Sequence, residues 1–318
     1  MVYAWQNPFP RRPTSPDRVT PITCLGMVEG MAEAFSNQFR LSITKALGDQ
    51  LAEELAKLMP APLTREHLDE LDRQAEVENL ASRSGVYQLY RQVPGAPKRE
   101  LVYVGKADKP LSQRLGNHLK KISGRRNISI DEISFKCLYV AEDFSAVAPE
   151  KLLIKRYKMD GGIPWNTNGF GNKDPGRNRD TTVLKKNHFD VLHPIDLDRP
   201  IGGLAVAEQP LAKLLEQVKD SSPYNFRYEE SQIYQDISVE APATTLTADD
   251  AFRLIASHLP EGWQVTALMG YVIMYRDHQR DYASAFRYYH GDEVHDADPK
   301  LKAAGKIEED AEAEAGEG

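Results

Sequence analysis

Apolar positions recur along the chain at two different periods. Leu47, Leu51, Leu55 and Leu58 follow the three- and four-residue spacing of one helix face. Residues 63–80 continue as a second, more polar helical pattern. The period then shortens. Gly85–Tyr90 (GVYQLY) and Leu101–Lys106 (LVYVGK) are short, rich in β-branched and aromatic residues, and separated by a loop with Pro94-Gly95 and Pro97. That combination predicts a hairpin with a long loop. Pro110 suits the first turn of a helix, and after it Leu111, Leu115, Leu119 and Ile122 return to helical spacing. Ile133–Val140 reads as a third strand. Pro149–Met159 reads as a helix, with Leu152, Leu153, Arg156 and Tyr157 on it and Gly161-Gly162 as its C-cap.

Residues 161–180 form a loop dense in Gly, Asn and Pro, and loops this long inside a domain tend to carry function. From about Ile201 the composition changes. Phe226–Val239 is a candidate strand. Thr247 and Asp250 make a capping box with Asp in place of Glu, and Phe252, Ile255 and Leu259 continue a helix from it. Trp263–Arg276 reads as two strands around Met269-Gly270. Asp281–Tyr289, rich in Tyr and Arg, is either a recognition surface or a packed face. The expected organisation is a flexible arm over residues 1–35, a main domain over 36–200 that includes the two helices, and a small α+β domain of unassigned role over 201–290. An acidic disordered tail follows over 291–318.

Composition narrows the class. At 318 residues, two domains are expected. No apolar run approaches the ~20 residues of a membrane span. Arg11 and Arg12 are not followed by the apolar stretch of a secretory signal. Cys24 and Cys137 allow one disulfide, but two lone cysteines more often mean a reducing compartment, so a cytoplasmic location is expected. They are too few for a cysteine-rich zinc site. The net charge is -7, yet residues 98–127 hold nine Lys/Arg against two acids and residues 151–186 hold nine against three. The acidity sits in the last 27 residues, with ten acids and three Lys. Affinity for DNA depends on local cationic patches. The candidate DNA contacts are therefore Lys109, Lys120, Lys121, Arg125, Arg126, Lys173, Arg177 and Arg179; the plainer reading is a solvated surface.

The hairpin and the helix after it bring chemistry together. Arg114 and His118, four apart, share a helix face beside the apolar stripe. Gly85-Val86-Tyr87, Tyr103-Val104-Gly105 and Arg114 resemble the two signature triplets and the arginine of the GIY-YIG nucleases. Glu150, opening a later helix, and Asn166, in Pro164-Trp165-Asn166, resemble that family's metal-binding glutamate and final asparagine. His118 and the run from Gly169 to Gly176 resemble one branch, the type II restriction endonucleases of the kind that cut the palindrome CCGCGG. The resemblance spans Phe39 to Pro194. It implies an α+β fold: a small mixed or antiparallel sheet flanked by helices, here with N-terminal helices and an extra C-terminal α+β unit.

Phosphodiester hydrolysis needs an attacking water, a base, positive charge on the phosphorane and a proton for the leaving oxygen. Tyr87 is the candidate to activate water. An ordinary tyrosine titrates near ~10 and needs help, for which His118 is the candidate. Arg114 can donate two hydrogen bonds to a phosphate. Tyr103 and Lys106 would orient water or phosphate, and Asn166 would fix the geometry. Glu150 is a hard ligand suited to Mg²⁺ (or Mn²⁺). Each has a plainer use: strand filler for the tyrosines, a solvated Arg114, a satisfied His118, a helix-dipole complement in Glu150, a turn residue in Asn166. Their joint occurrence in order points to a nuclease. The acid-x-Lys triplet of the common restriction-enzyme site occurs once, as Asp298-Pro299-Lys300, where proline excludes a central strand. The resemblance implies double-stranded DNA as substrate, a homodimer on DNA and a cognate DNA methyltransferase. The alternatives are a GIY-YIG repair or homing nuclease, or an inactive DNA-binding protein of the same fold.

Overall fold

The computed structural model describes residues 43–80, 83–140, 153–157, 162–171, 176–204, 207–242, 245–277 and 280–304. Helix α1 (Ile43–Lys57) turns Ala52 and Leu55 into the core. Helix α2 (Arg65–Val77) is shorter than its polar pattern predicts. Thr64 caps it by accepting from the His67 amide, and Asn79, at φ 49°, leaves the helical path beyond its end. Just before it, β1 (Ala61–Pro62) pairs with a later strand.

The central sheet is antiparallel. Strands β2 (Gly85–Arg91), β3 (Glu100–Ala107) and β4 (Ile133–Tyr139) join β1 in the order β1-β4-β2-β3. The two-residue period sorts their side chains. Val86 and Val104 pack with Leu55, Leu153 and Ile163 on one face. Tyr87, Leu89 and Tyr103 pack on the other with Leu111, Leu115 and Ile122 of α3 (Leu111–Ser123). Burying each such aliphatic side chain stabilises by about 1.5–3 kcal/mol. Gly85 has no alternative: a Cβ there would lie 2.0 Å from the Leu138 carbonyl oxygen. Residues 153–157 are helical, within the span predicted as a helix; the rest of that span is outside the described residues.

The stretch predicted as a long loop is partly structured. It holds a turn of 3-10 helix at Pro164–Asn166 and the one-turn helix α4 (Arg177–Asp180). A second one-turn helix, α5 (Phe189–Leu192), follows. Trp165 and Phe170 are buried in the core of α3.

Beyond residue 200, helices α6 (Leu211–Ser221) and α7 (Ala248–His258) pack on a second sheet. Its described strands are β5 (Phe226–Tyr228), β6 (Gln264–Leu268), β7 (Val272–Tyr275), β8 (Ala285–His290) and β9 (Glu293–Asp296), in the order β9-β8-β6-β7-β5. Only β5 and β7 run parallel. The capping box forms as expected, with Thr247 and Asp250 bonding each other's backbone amides. The two strands around Met269-Gly270 are β6 and β7. Two expectations are corrected. Phe226–Val239 is not one strand, because β5 ends at Tyr228 and Ile233–Asp236 is a helical turn. Nor is the chain a structureless tail from residue 291. Strand β9 pairs with β8, Arg287 donates to Asp296, and Lys302 exchanges backbone hydrogen bonds with Leu184 and Lys186. Tyr282, Tyr288 and Tyr289 are buried, so 281–289 is a packed face.

From residue 43 on, the described residues form one compact unit. The halves meet at the end of α3. The Arg126 amide donates to Pro194, Asp196 to Gly124, and Ile195 to Met269. Among the described residues no helix is long and apolar enough to cross a membrane.

Candidate active site

Tyr87 and Tyr103 lie on adjacent strands and point to the same face of the sheet, their ring centroids 6.0 Å apart. Glycine makes room for them. Gly105 stands opposite Tyr87 in the β2–β3 register, and a Cβ on it would come within 2.4 Å of the Tyr87 hydroxyl. A Cβ on Gly171 would come within 2.4 Å of the Tyr103 hydroxyl. Each tyrosine hydroxyl therefore packs against a glycine, one from the second signature triplet and one from the glycine-rich run.

Helix α3 adds the charge. Its face carries Arg114 and His118 one turn apart, so both reach one atom. His118 Nε2 lies 2.7 Å from the Tyr87 hydroxyl oxygen, and Arg114 Nε donates to the same oxygen at 3.1 Å. The Phe170 ring stacks on His118, 4.9 Å between centroids, and meets Tyr103 edge-on at 5.1 Å. Burial, reinforced by Arg114 and Lys121, pushes the His118 imidazole well below its ordinary 6.5. It is neutral at pH 7, so Nε2 can take the phenol proton in the tautomer protonated at Nδ1. Burial alone would lower the Arg114 guanidinium, but Tyr87 and then Tyr103 outweigh it and hold its proton more tightly. A phenol oxygen that gives a proton to a neutral imidazole and accepts one from a guanidinium is arranged to carry negative charge.

Two further histidines share the depression. Burial pushes His188 down to about 4 and lowers His193. The unfolded chain protonates all three near 6.5 and the folded one does not. Stability is therefore full above that pH and falls as pH drops below it, by ~1.4 kcal/mol per unit for each fully neutral histidine. A melting temperature that falls clearly from pH 7 to pH 5, and falls less in His118→Gln, is the expected result. Equal slopes would show that His118 titrates normally.

The other predicted residues are placed as follows. Asn166 is not at the tyrosine hydroxyls. Its amide accepts from the Val104 amide at 2.9 Å and donates to the Val104 carbonyl at 2.7 Å, pairing the outer edge of β3 next to Tyr103. Lys106 follows the alternation of Val104, away from Tyr103, and is ion-paired with Asp108 at 3.1 Å. Glu150 and Lys173 lie outside the described residues. Lys109 and Lys120 are exposed. Arg126 pairs with Asp196 and Asp198, and Arg177 with Glu229. Arg125 is corrected from a surface contact to a buried strut. Its side chain is 3% exposed, ion-paired with Asp190 at 2.9 Å, and donates to the carbonyls of His193, Met269 and Gly270. Arg179 bonds the other oxygen of Asp190.

Asp190 is a hub that the sequence reading missed. Burial pushes its carboxyl up, but Arg125, Lys121 and Arg179 outweigh that and hold it ionised, well below the usual carboxylate range. Gly270 packs so close that a Cβ would meet the carboxylate at 2.5 Å. Asp190 is thus spent on arginines. Among the described residues no group of three or more His, Cys, Asp or Glu could hold a metal ion. A Mg²⁺ held by one carboxylate, water and substrate phosphate needs no such group.

Residues 100–199 match the family model of the Eco29kI GIY-YIG domain. Over that segment the chain is similar to that GIY-YIG domain, and the segment carries Tyr103, Arg114, His118 and Asn166. The match starts at Glu100, so Gly85–Tyr87 lies ahead of it; the strand pairing of Tyr87 with Gly105 sets that triplet beside the matched segment. No curated protein matches the chain.

Gly171→Ala tests the tyrosine packing without removing a polar group. The added methyl would displace the Tyr103 ring, and misplacing a catalytic group by ~1 Å costs roughly 10²-fold. Slower DNA cutting by about that factor, with a melting temperature a few degrees lower from the overpacked ring, is expected. Single-turnover cleavage and a thermal melt would measure both, and wild-type cutting would remove Gly171 from the site.

Proposed function

We propose that the chain is a type II site-specific deoxyribonuclease that hydrolyses phosphodiester bonds of double-stranded DNA at a short palindrome. The observation that carries this reading is the Tyr87 hydroxyl held between His118 and Arg114, both of which lie in the segment similar to the Eco29kI GIY-YIG domain. Tyr87 takes a proton from the attacking water as it hands its own to His118 Nε2; the water oxygen bonds phosphorus, the P–O bond to the leaving sugar oxygen breaks, and that oxygen takes its proton from solvent. Arg114 steadies the phenolate and faces the phosphorane charge. Tyr103, locked by Gly171 and by Asn166 behind it, orients water or phosphate. Glu150 is the residue proposed to hold Mg²⁺ (or Mn²⁺), which when bound supplies Lewis-acid stabilisation of the phosphate oxygens.

A palindrome has twofold symmetry, so a homodimer is the assembly that cuts both strands. A DNA methyltransferase of the same specificity is the genetic partner such an activity requires. Lys109, just ahead of α3, and Lys120, on it, are exposed and are the first candidates for DNA phosphates, and the run containing Lys173 is the candidate for base contacts. The resemblance to enzymes that cut CCGCGG makes that palindrome the first to try.

Glu150→Ala separates binding from chemistry. The basic surface remains while the metal ligand is lost, so duplex binding should stay within about threefold while Mg²⁺-dependent cutting falls by at least ~10³. A gel-shift titration beside a cleavage time course reads both. Normal cutting by this variant would overturn the metal assignment.

A further inference from the structure

Beside the Tyr87 cluster lies a cavity of about 230 Å³. Arg114, His118, Lys120 and Lys121 of α3 line one side, with Phe170 and Gly171 next to them. The far wall comes from the C-terminal half, from Pro223–Asn225 and Gly270–Tyr271. Arg125 and Arg179 also reach it, but both are committed to Asp190 behind the wall. Arg114, Lys120 and Lys121 have no carboxylate within ion-pair distance among the described residues. A cavity bordered by Arg114 and Lys120 as cations, with Lys121 able to become one when a negative group arrives, favours an anion.

Lys121 gives the direction. Its ammonium has three N–H donors, and one of them goes to the Phe170 carbonyl oxygen at 2.6 Å. Its Nζ sits 5.0 Å over the Phe170 ring and 5.2 Å over that of Phe189, which leaves the cavity side for further acceptors. Arg114 joins the two places, since the residue that bonds the Tyr87 hydroxyl also borders the cavity.

We propose that this cavity is a binding site for a phosphate group of the DNA backbone adjoining the one being cut, and that the C-terminal half completes it. The identity of that phosphate rests on the nuclease reading above; the anion site does not. An assigned role follows for residues 201–290, which close the back of the phosphate site. Lys121 would also couple binding to protons. Burial holds it down to about 7, against Asp190 and with Arg125, Arg179 and Arg114 acting in the same direction. Lys120, neutral His118, Tyr224 and Tyr271 line the same cavity, the two tyrosine hydroxyls donating to the Asp196 carbonyl and the Asp180 carboxylate, and neutral His188 lies close enough to feel the Lys121 charge. An arriving anion raises the proton affinity of Lys121, so binding near pH 8 takes up a proton.

Sulfate is the probe, because its charge is constant over this range. Calorimetric titration of the full chain at pH 8 in EDTA, in two buffers of different ionisation enthalpy, should show saturable binding with close to one proton taken up. Lys121→Met should weaken binding at least tenfold and abolish the uptake. Lys120→Met, at an exposed position that carries no risk to folding, should weaken binding several-fold and keep the uptake. Lys121→Arg should bind without uptake. No saturable sulfate binding, or binding unchanged in both Met variants, would overturn the site. A short uncleaved duplex should displace sulfate; sulfate that duplex cannot displace would make this a site for free anions and overturn the DNA assignment. Sulfate binding with duplex displacement, in a protein that never cuts DNA in Mg²⁺, would keep the site and overturn the nuclease reading instead.

Discussion

Tyr87→Phe is expected to cut DNA ~10²–10⁴ times more slowly than the wild type, the range that a positioned base contributes. The ring stays, so packing against Gly105 and the strand register are kept. The hydroxyl goes, and with it the one atom that His118 and Arg114 both bond. Leaving His118 without its partner and Arg114 with Tyr103 alone costs about 1–3 kcal/mol, so a melting temperature a few degrees lower should accompany the loss of turnover. Duplex affinity should hardly change, because Tyr87 is fully buried and makes no contact that DNA could replace. Cleavage within a few-fold of wild type would remove Tyr87 as the base.

Asp190→Ala is expected to have the largest effect on stability. It removes the one carboxylate between Arg125 and Arg179 and leaves two arginines, one fully buried, without their counter-charge. Breaking a buried ion pair from one side costs about 3–5 kcal/mol. For a chain of this size that is a fall in melting temperature of roughly 10 °C. The strut it breaks holds the end of α3 to Met269 and Gly270. Cutting should therefore be lost at temperatures where the variant is still folded. A variant that melts within 2 °C of wild type, by calorimetry, would show that the arginines find other partners and that Asp190 is not the hub.

Most of the site's first layer was legible in the sequence because it is local. Tyr87, Tyr103, Arg114 and His118 come from one hairpin and the helix after it, where strand and helix periods alone predict which side chains share a face. What could not be read depends on contacts between distant segments. Phe170 stacking on His118 and Gly171 packing on Tyr103 were visible only as a glycine-rich run. Asn166 reads as a turn residue until the open edge of β3 is seen beside it. Arg125 and Asp190 illustrate the limit on charge counting. In sequence Arg125 is one more cation in a basic segment, while in the fold it is buried against an acid 65 positions later. Helix α6 was legible too, since Leu211, Leu214, Leu215 and Val218 have helical spacing, but the sequence reading placed no helix there. The polar segment after His290 has too little apolar content to announce a strand. It forms one because β8 offers an open edge and Arg287 a partner for Asp296.

The measurement that bears most directly on the account is a digestion. Purified full-length protein is incubated with unmethylated phage DNA, with Mg²⁺ and separately with EDTA, and the products are run on a gel. Discrete fragments that need Mg²⁺, with ends that sequence to one palindrome, are the predicted result. A smear, or DNA left intact on substrates that contain every short palindrome, would contradict it.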